Sequence, residues 1–165
     1  MFELYLVRHA VAEERGDEWP DDTKRPLSKQ GTQRMKTAAR GLVRLDLRFD
    51  VVLTSPLVRT RQTADIIADA FDRKPPIVVV ESLAPEGTDQ EVLADLAAHE
   101  RRSRIAIVGH EPNIGHLAAR LAGSRHPFTF KKGAVCRVDV GALPPTQPGT
   151  LRWFLTPAIL RAIGD

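Results

Sequence analysis

The stretch Phe2-Glu3-Leu4-Tyr5-Leu6-Val7-Arg8-His9 decides the fold. Phe2 to Val7 reads as a strand, and the chain leaves it directly through an arginine and a histidine. The same arrangement recurs downstream. Val51 to Leu53 reads as a second short strand, followed at once by Ser55-Pro56-Leu57-Val58-Arg59. Ile77 to Val80, a β-branched run, reads as a third strand. Ile105 to Val108 reads as a fourth and runs into Gly109–His110.

Helical patterns fill the gaps. Ser28 is placed to cap a helix whose Met35, Ala38, Ala39 and Leu42 share one face. Ser55 and Pro56 are expected as the cap and first residue of a second helix, with Ala64, Ile67, Ala68 and Phe71 as its buried stripe. Thr88 and Glu91 form a capping box ahead of Val92, Leu93 and Leu96. Pro112 is expected to open a fourth helix, with Ile114, Leu117, Ala118 and Leu121 on one face and Gly123 as its stop. Ala134 to Val140 and Leu151 to Leu155 read as two final strands joined by the proline-rich loop 141–149. Such alternation predicts an α/β fold, a three-layer α/β/α sandwich with a mostly parallel central sheet. No linker is long enough to divide the chain, so a single domain over residues 1–165 is expected.

In such a sheet the carboxyl ends of parallel strands form the ligand crevice. Arg8, His9, Arg59 and His110 are all expected there, although they lie far apart in sequence. Two histidines and two arginines at one crevice suit phosphate better than a metal, which would want carboxylate or cysteine partners. Arg59 points the same way. It falls in the first turn of a helix, where a cation opposes the helix dipole at a cost of about 0.3–1 kcal/mol. A bound anion reverses that penalty. The alternative is that Arg59 and Arg61 bend into solvent or pair with Asp65 or Asp69. His99, His116 and His126 have no motif around them and read as surface or packing residues.

Composition narrows the classes. The net charge of +3 is weak evidence for nucleic acid, and the basic clusters Arg101–Arg102 with Arg104 and Lys131–Lys132 lack interleaved aromatics. A solvated surface is the better reading of both clusters, and no nucleic-acid partner is expected. A mild positive excess suits an anionic substrate. No apolar run is long enough to cross a bilayer, and Met1 to Val7 lacks the features of a secretory signal, so no membrane association is expected. Cys136 is the only cysteine, which excludes an internal disulfide and fits a reducing cytoplasm. It reads as a small buried hydrophobe. The acidic loop 17–22, Asp17-Glu18-Trp19-Pro20-Asp21-Asp22, either shapes access to the nearby crevice or is an ordinary solvated loop.

These residues resemble a known family. Leu6-Val7-Arg8-His9 is similar to the arginine–histidine signature of the histidine phosphatase superfamily, which includes the cofactor-dependent phosphoglycerate mutases. Residues 54–64, Thr-Ser-Pro-Leu-Val-Arg-Thr-Arg-Gln-Thr-Ala, resemble its second signature, and Val108-Gly109-His110-Glu111-Pro112 its third. The segment Arg25-Pro26-Leu27-Ser28-Lys29-Gln30-Gly31, the short chain and the Gly-His-Glu-Pro form point to the SixA-type phosphohistidine phosphatase branch. The resemblance runs from about residue 2 to residue 156 and implies a phosphoglycerate mutase-like fold.

By position, the resemblance implies that His9 is the nucleophile and passes through a phosphohistidine intermediate. It implies that Arg8, Arg59 and His110 hold the phosphoryl oxygens, with no cofactor and no metal. Ala10 stands where much of the superfamily has glycine. The proton donor is open between Glu81, Glu86 and Glu111; Glu86 is preferred, because it lies in a loop at the carboxyl side of the third strand. The arginines favour a neutral His9, and a protonated His110 would add a further donor. The short chain leaves little material for a lid, so the expected substrate is phosphohistidine in a protein. The alternatives are a small-molecule phosphomonoesterase or mutase of the same superfamily, and a non-catalytic phosphate-binding module.

Overall fold

The computed structural model describes residues 1–165. Six strands form one sheet in the order β3-β2-β4-β1-β5-β6, with β1 Phe2–Arg8, β2 Val51–Thr54, β3 Ile77–Val79, β4 Arg104–Gly109, β5 Val135–Val140 and β6 Thr150–Leu155. The pairings β1–β4, β2–β4 and β2–β3 are parallel. The last two strands run antiparallel, β5 against β1 and β6 against β5. The sheet is therefore mixed, with a parallel half that carries the crevice.

Alternation along the central strands sorts side chains to two faces. Leu4, Leu6, Ile105 and Ile107 face one core with α3 (Asp89–Leu96) and α4 (Asn113–Ala122), built around Leu96, Ile114 and Leu117. Tyr5, Val7, Ala106 and Val108 face the other, where α1 (Lys29–Arg44), α2 (Val58–Asp69) and α5 (Pro157–Gly164) supply Met35, Leu42, Ile67 and Leu160. This is the expected three-layer sandwich. It is the phosphoglycerate mutase-like fold.

Local signals account for most boundaries. Ser28 caps α1 by accepting the Gly31 N–H at 2.9 Å. Thr88 and Glu91 complete a reciprocal capping box at α3. Gly123, at φ 71°, terminates α4 in the left-handed region that glycine adopts without a Cβ penalty. Two starts differ from expectation. Helix α2 begins at Val58 with Leu57 as its cap, and Ser55 is not the N-cap, because its hydroxyl is engaged by the Leu57 N–H and by His110. Pro112 is the cap residue of α4 rather than its first helical residue.

Helix α5 was not expected from the sequence. Thr156 caps it by accepting the Ile159 N–H, and Pro157 opens it. It crosses α1 so closely that a Cβ built on Gly41 would lie 2.2 Å from the Leu160 carbonyl oxygen. Glycine-to-alanine in an exposed helix normally gains stability. Here overpacking against backbone wins, and Gly41→Ala is expected to cost about 1–3 kcal/mol in urea unfolding. An unchanged midpoint would contradict the close crossing.

Candidate active site

Strand register brings the chemistry together. Arg8 lies opposite Gly109, and Thr54 lies opposite both Val108 and Val79. The residues that follow β1, β2, β3 and β4 therefore emerge along one edge of the sheet. His9 continues the ladder by donating its N–H to the Gly109 carbonyl at 3.1 Å. On the other side, the Gly133 N–H donates to the carbonyls of Arg8 and His9. That turn needs φ 87° at Gly133, a conformation open to glycine.

His9 is buried, and its Nδ1 lies 2.7 Å from the Ala10 carbonyl oxygen. A carbonyl only accepts, so Nδ1 carries the proton and donates. The lone pair of the neutral ring is left on Nε2. Burial, above all, drives the ring pKa down to about 3, and the charges of Arg59, Arg8 and Lys132 act in the same direction. The methyl of Ala10 is packed into the core, while the Ala10 N–H donates to Thr63 Oγ1 at 3.0 Å. Thr63 in turn donates to the Arg59 carbonyl at 2.7 Å, which ties the end of β1 to α2.

The His110 ring lies 5.3 Å from that of His9, centroid to centroid. Its Nε2 is 2.8 Å from Ser55 Oγ. The Ser55 hydroxyl has no other acceptor, so it donates to Nε2 and the His110 proton sits on Nδ1. That Nδ1 is buried and has no partner within the protein. Burial first, then His9 and Arg59, push the His110 pKa down to about 3. Of the two states the sequence left open, burial favours the neutral one, in which His110 still offers one N–H.

Two guanidinium groups complete the cluster. Arg8 donates from Nη1 to the Phe130 carbonyl at 2.7 Å, and its buried Nε has no partner. Arg59, only 3% exposed, donates from Nη1 to the Asp22 carbonyl at 2.9 Å and from Nη2 to Asp22 Oδ2 at 3.1 Å. Its Nε is also buried without a partner. Buried donors are normally satisfied. Arg8, Arg59 and His110 thus each present an unsatisfied N–H close to the neutral His9 ring, and an oxyanion is the kind of group that would satisfy such donors.

Asp22 belongs to the acidic loop, so that loop is more than solvated surface. Its carboxylate bridges Arg59 and Arg25, with Arg25 Nε at 2.8 Å from Oδ1. The Arg25 hydrogen bond, with the charges of Arg59 and Arg15, holds its pKa below the usual carboxylate range. The cation in the first turn of α2 is thus balanced by a carboxylate of the protein itself, neither Asp65 nor Asp69. Arg61 instead takes the ordinary course and pairs with Asp65 at 3.3 Å.

Of the remaining sequence candidates, Glu86 is exposed and makes no hydrogen bond or ion pair, although Asn113 pins its loop through the carbonyls of Pro85 and Gly87. Glu81 is exposed in the single turn Glu81–Leu83. Glu111 differs from both. Its partly buried carboxyl lies beside Arg8, its Oε1 has no partner, and burial raises its pKa. His116 and His126 are exposed and His99 is half-buried, away from the cluster. Cys136 is in the core, where burial pushes its thiol up to about 12.

Comparison with known proteins agrees with this geometry. Residues 4–84 match the model of the histidine phosphatase superfamily, branch 1. An uncharacterized protein of Picosynechococcus sp. is 38% identical over 85% of this chain and 86% of its own. The chain belongs to the histidine phosphatase superfamily. The phosphohistidine phosphatase SixA of Escherichia coli is 27% identical over 96% of both chains. The structure of the protein histidine phosphatase SixA complexed with tungstate superposes with a TM-score of 0.84 at 25% identity, covering 95% of this chain and 98% of that one. Within that superfamily of phosphatases and mutases the chain is SixA-like in sequence and fold.

Sequence reasoning missed Asp22, Arg25, Ser55 and Thr63. Arg25, Ser55 and Thr63 lay within the quoted motifs, and a buried partner for Arg59 could have been sought among the acids of loop 17–22. As a histidine phosphatase built this way, the protein depends on Asp22 to hold Arg59. Asp22→Ala is expected to lower kcat/KM about ten- to a hundredfold through misplacement of the guanidinium. Asp17→Ala, on the exposed part of the same loop, is expected to leave it unchanged. Equal effects of the two substitutions would contradict the positioning role.

Proposed function

We propose that this protein hydrolyses phosphohistidine in a partner protein, in two displacements at His9. The observation that carries the reading is the state of His9: buried, uncharged, with Nδ1–H committed to the Ala10 carbonyl and Nε2 free. In the first step the Nε2 lone pair attacks phosphorus, and the bond from phosphorus to the substrate nitrogen breaks. The positive charge that develops on the His9 ring is met by the Ala10 carbonyl. In the second step water attacks phosphorus, the bond to Nε2 breaks, and phosphate leaves. The unpaired N–H groups of Arg8, Arg59 and His110 follow the equatorial oxygens through both steps.

The substrate class follows from the leaving group and from the chain's connections. An imidazole already protonated on its ring departs as a neutral molecule and needs little acid catalysis. An alkoxide needs a strong acid. The exposed Glu86 is poorly placed for that work, and the half-buried Glu111, with its raised pKa, is the better acid of the three glutamates. The connection from β3 to α3 contains only the turn Glu81–Leu83, so this connection supplies no long helix or strand as a lid. The names of the two SixA relatives support the same substrate.

The test compares a phosphohistidine protein with a simple alkyl phosphate. Wild type is expected to release phosphate from the phosphoprotein with the higher kcat/KM, and His9→Ala is expected to abolish both reactions. Glu111→Gln is expected to slow the alkyl ester about a hundredfold and to spare the phosphoprotein, while Glu86→Gln changes neither. A preference for the alkyl ester would establish a small-molecule phosphomonoesterase. Phosphoryl transfer without free phosphate would establish a mutase. Tight binding without turnover would establish a non-catalytic module.

A further inference from the structure

A groove of about 440 Å³ opens beside Arg8, between α1, the start of α5 and the loop that precedes β5. Arg34 of α1, Arg161 of α5 and Lys131 and Lys132 of the loop line it, and Arg8 forms its inner end. No acidic residue lines it. None of Arg34, Lys131, Lys132 and Arg161 makes an ion pair, so no carboxylate of the protein neutralises the groove. Like charges gathered without counter-charge repel one another. The Lys132 pKa is lowered, first by burial and then by the charges of Arg8 in the groove and of Arg25, Arg15 and Arg59 beyond it.

The groove and the phosphate site are mechanically one unit. Gly133 hydrogen-bonds to the carbonyls of both Arg8 and His9, so the loop carrying Lys131 and Lys132 is clamped to the nucleophile strand. Arg8 belongs both to the cluster around His9 and to the groove's lining, so the two sites adjoin through its side chain. We propose that the groove docks acidic side chains flanking the phosphorylated residue of the partner protein, which sets the preference among phosphoprotein substrates. This rests on the phosphohistidine reading above.

The shape of the charge favours a protein over a small molecule. Arg34, Lys131 and Lys132 are exposed and spread over separate elements, which suits several carboxylates on a facing surface. The phosphoryl group, by contrast, is met by buried donors such as Arg59. No aromatic side chain lines the groove, so it lacks the stacking platform of a nucleic-acid site.

The test uses two peptides that carry a non-hydrolysable phosphonate in place of phosphohistidine, one flanked by Asp and Glu and one by Asn and Gln. Fluorescence anisotropy is expected to show the acidic peptide binding at least about tenfold tighter, with the preference shrinking as salt rises. The triple variant Arg34→Ser, Lys131→Ser, Arg161→Ser is expected to lose the preference while turning over free phosphohistidine within about twofold of wild type. Equal affinity of the two peptides overturns the proposal. So does equal displacement of the acidic peptide by single-stranded DNA, or a loss in the triple variant confined to small bisphosphates. If the peptide preference persists while neither free phosphohistidine nor the phosphoprotein is hydrolysed, the groove stands and the phosphohistidine reading fails.

Discussion

A histidine buried among arginines is constrained to remain uncharged, and the chemistry of this protein depends on that constraint. Folding lowers the pKa of both His9 and His110 from 6.5 to about 3. Between those limits the unfolded chain binds protons that the folded chain refuses, so stability falls as pH drops from 6.5 toward 3. In return, His9 keeps its lone pair at neutral pH and His110 keeps a single N–H. Full positive charge resides on the guanidinium groups, which stay protonated.

The guanidinium groups in turn need restraint. Each is anchored by a backbone carbonyl, Phe130 for Arg8 and Asp22 for Arg59. Each also has a carboxyl group nearby. The Asp22 carboxylate bonds Arg59 directly, whereas Glu111 lies beside Arg8 without forming an ion pair. The difference in carboxyl pKa, lowered for Asp22 and raised for Glu111, gives the two acids different work. One holds a cation in place, and the other retains a proton more readily.

The parallel half of the sheet was legible in the sequence because each strand ends on a chemically distinctive residue. His9, Ser55 and His110 follow strands whose register aligns their ends. The cluster of Arg8, His9, Arg59 and His110 was legible for the same reason. Helix α5 was not, because the reading of β6 as the last element passed over Thr156-Pro157, a cap and first-turn pair. Asp22 was not legible because its partner Arg59 lies 37 residues away, and only the folded loop brings them together. Which glutamate is better placed to hold a proton could not be read from position in the chain. A loop beside the crevice leaves Glu86 exposed, while Glu111 is half-buried by the turn after β4.

The most direct test of the central claim is a ¹³C and ¹⁵N NMR titration of the His9 ring in the free protein, assigned by comparison with His9→Gln. The account predicts the Nδ1–H tautomer from pH 8 down to pH 5, with no protonation of Nε2 until pH approaches about 3. A ring that titrates near 6.5, or that carries its proton on Nε2 at neutral pH, would contradict it.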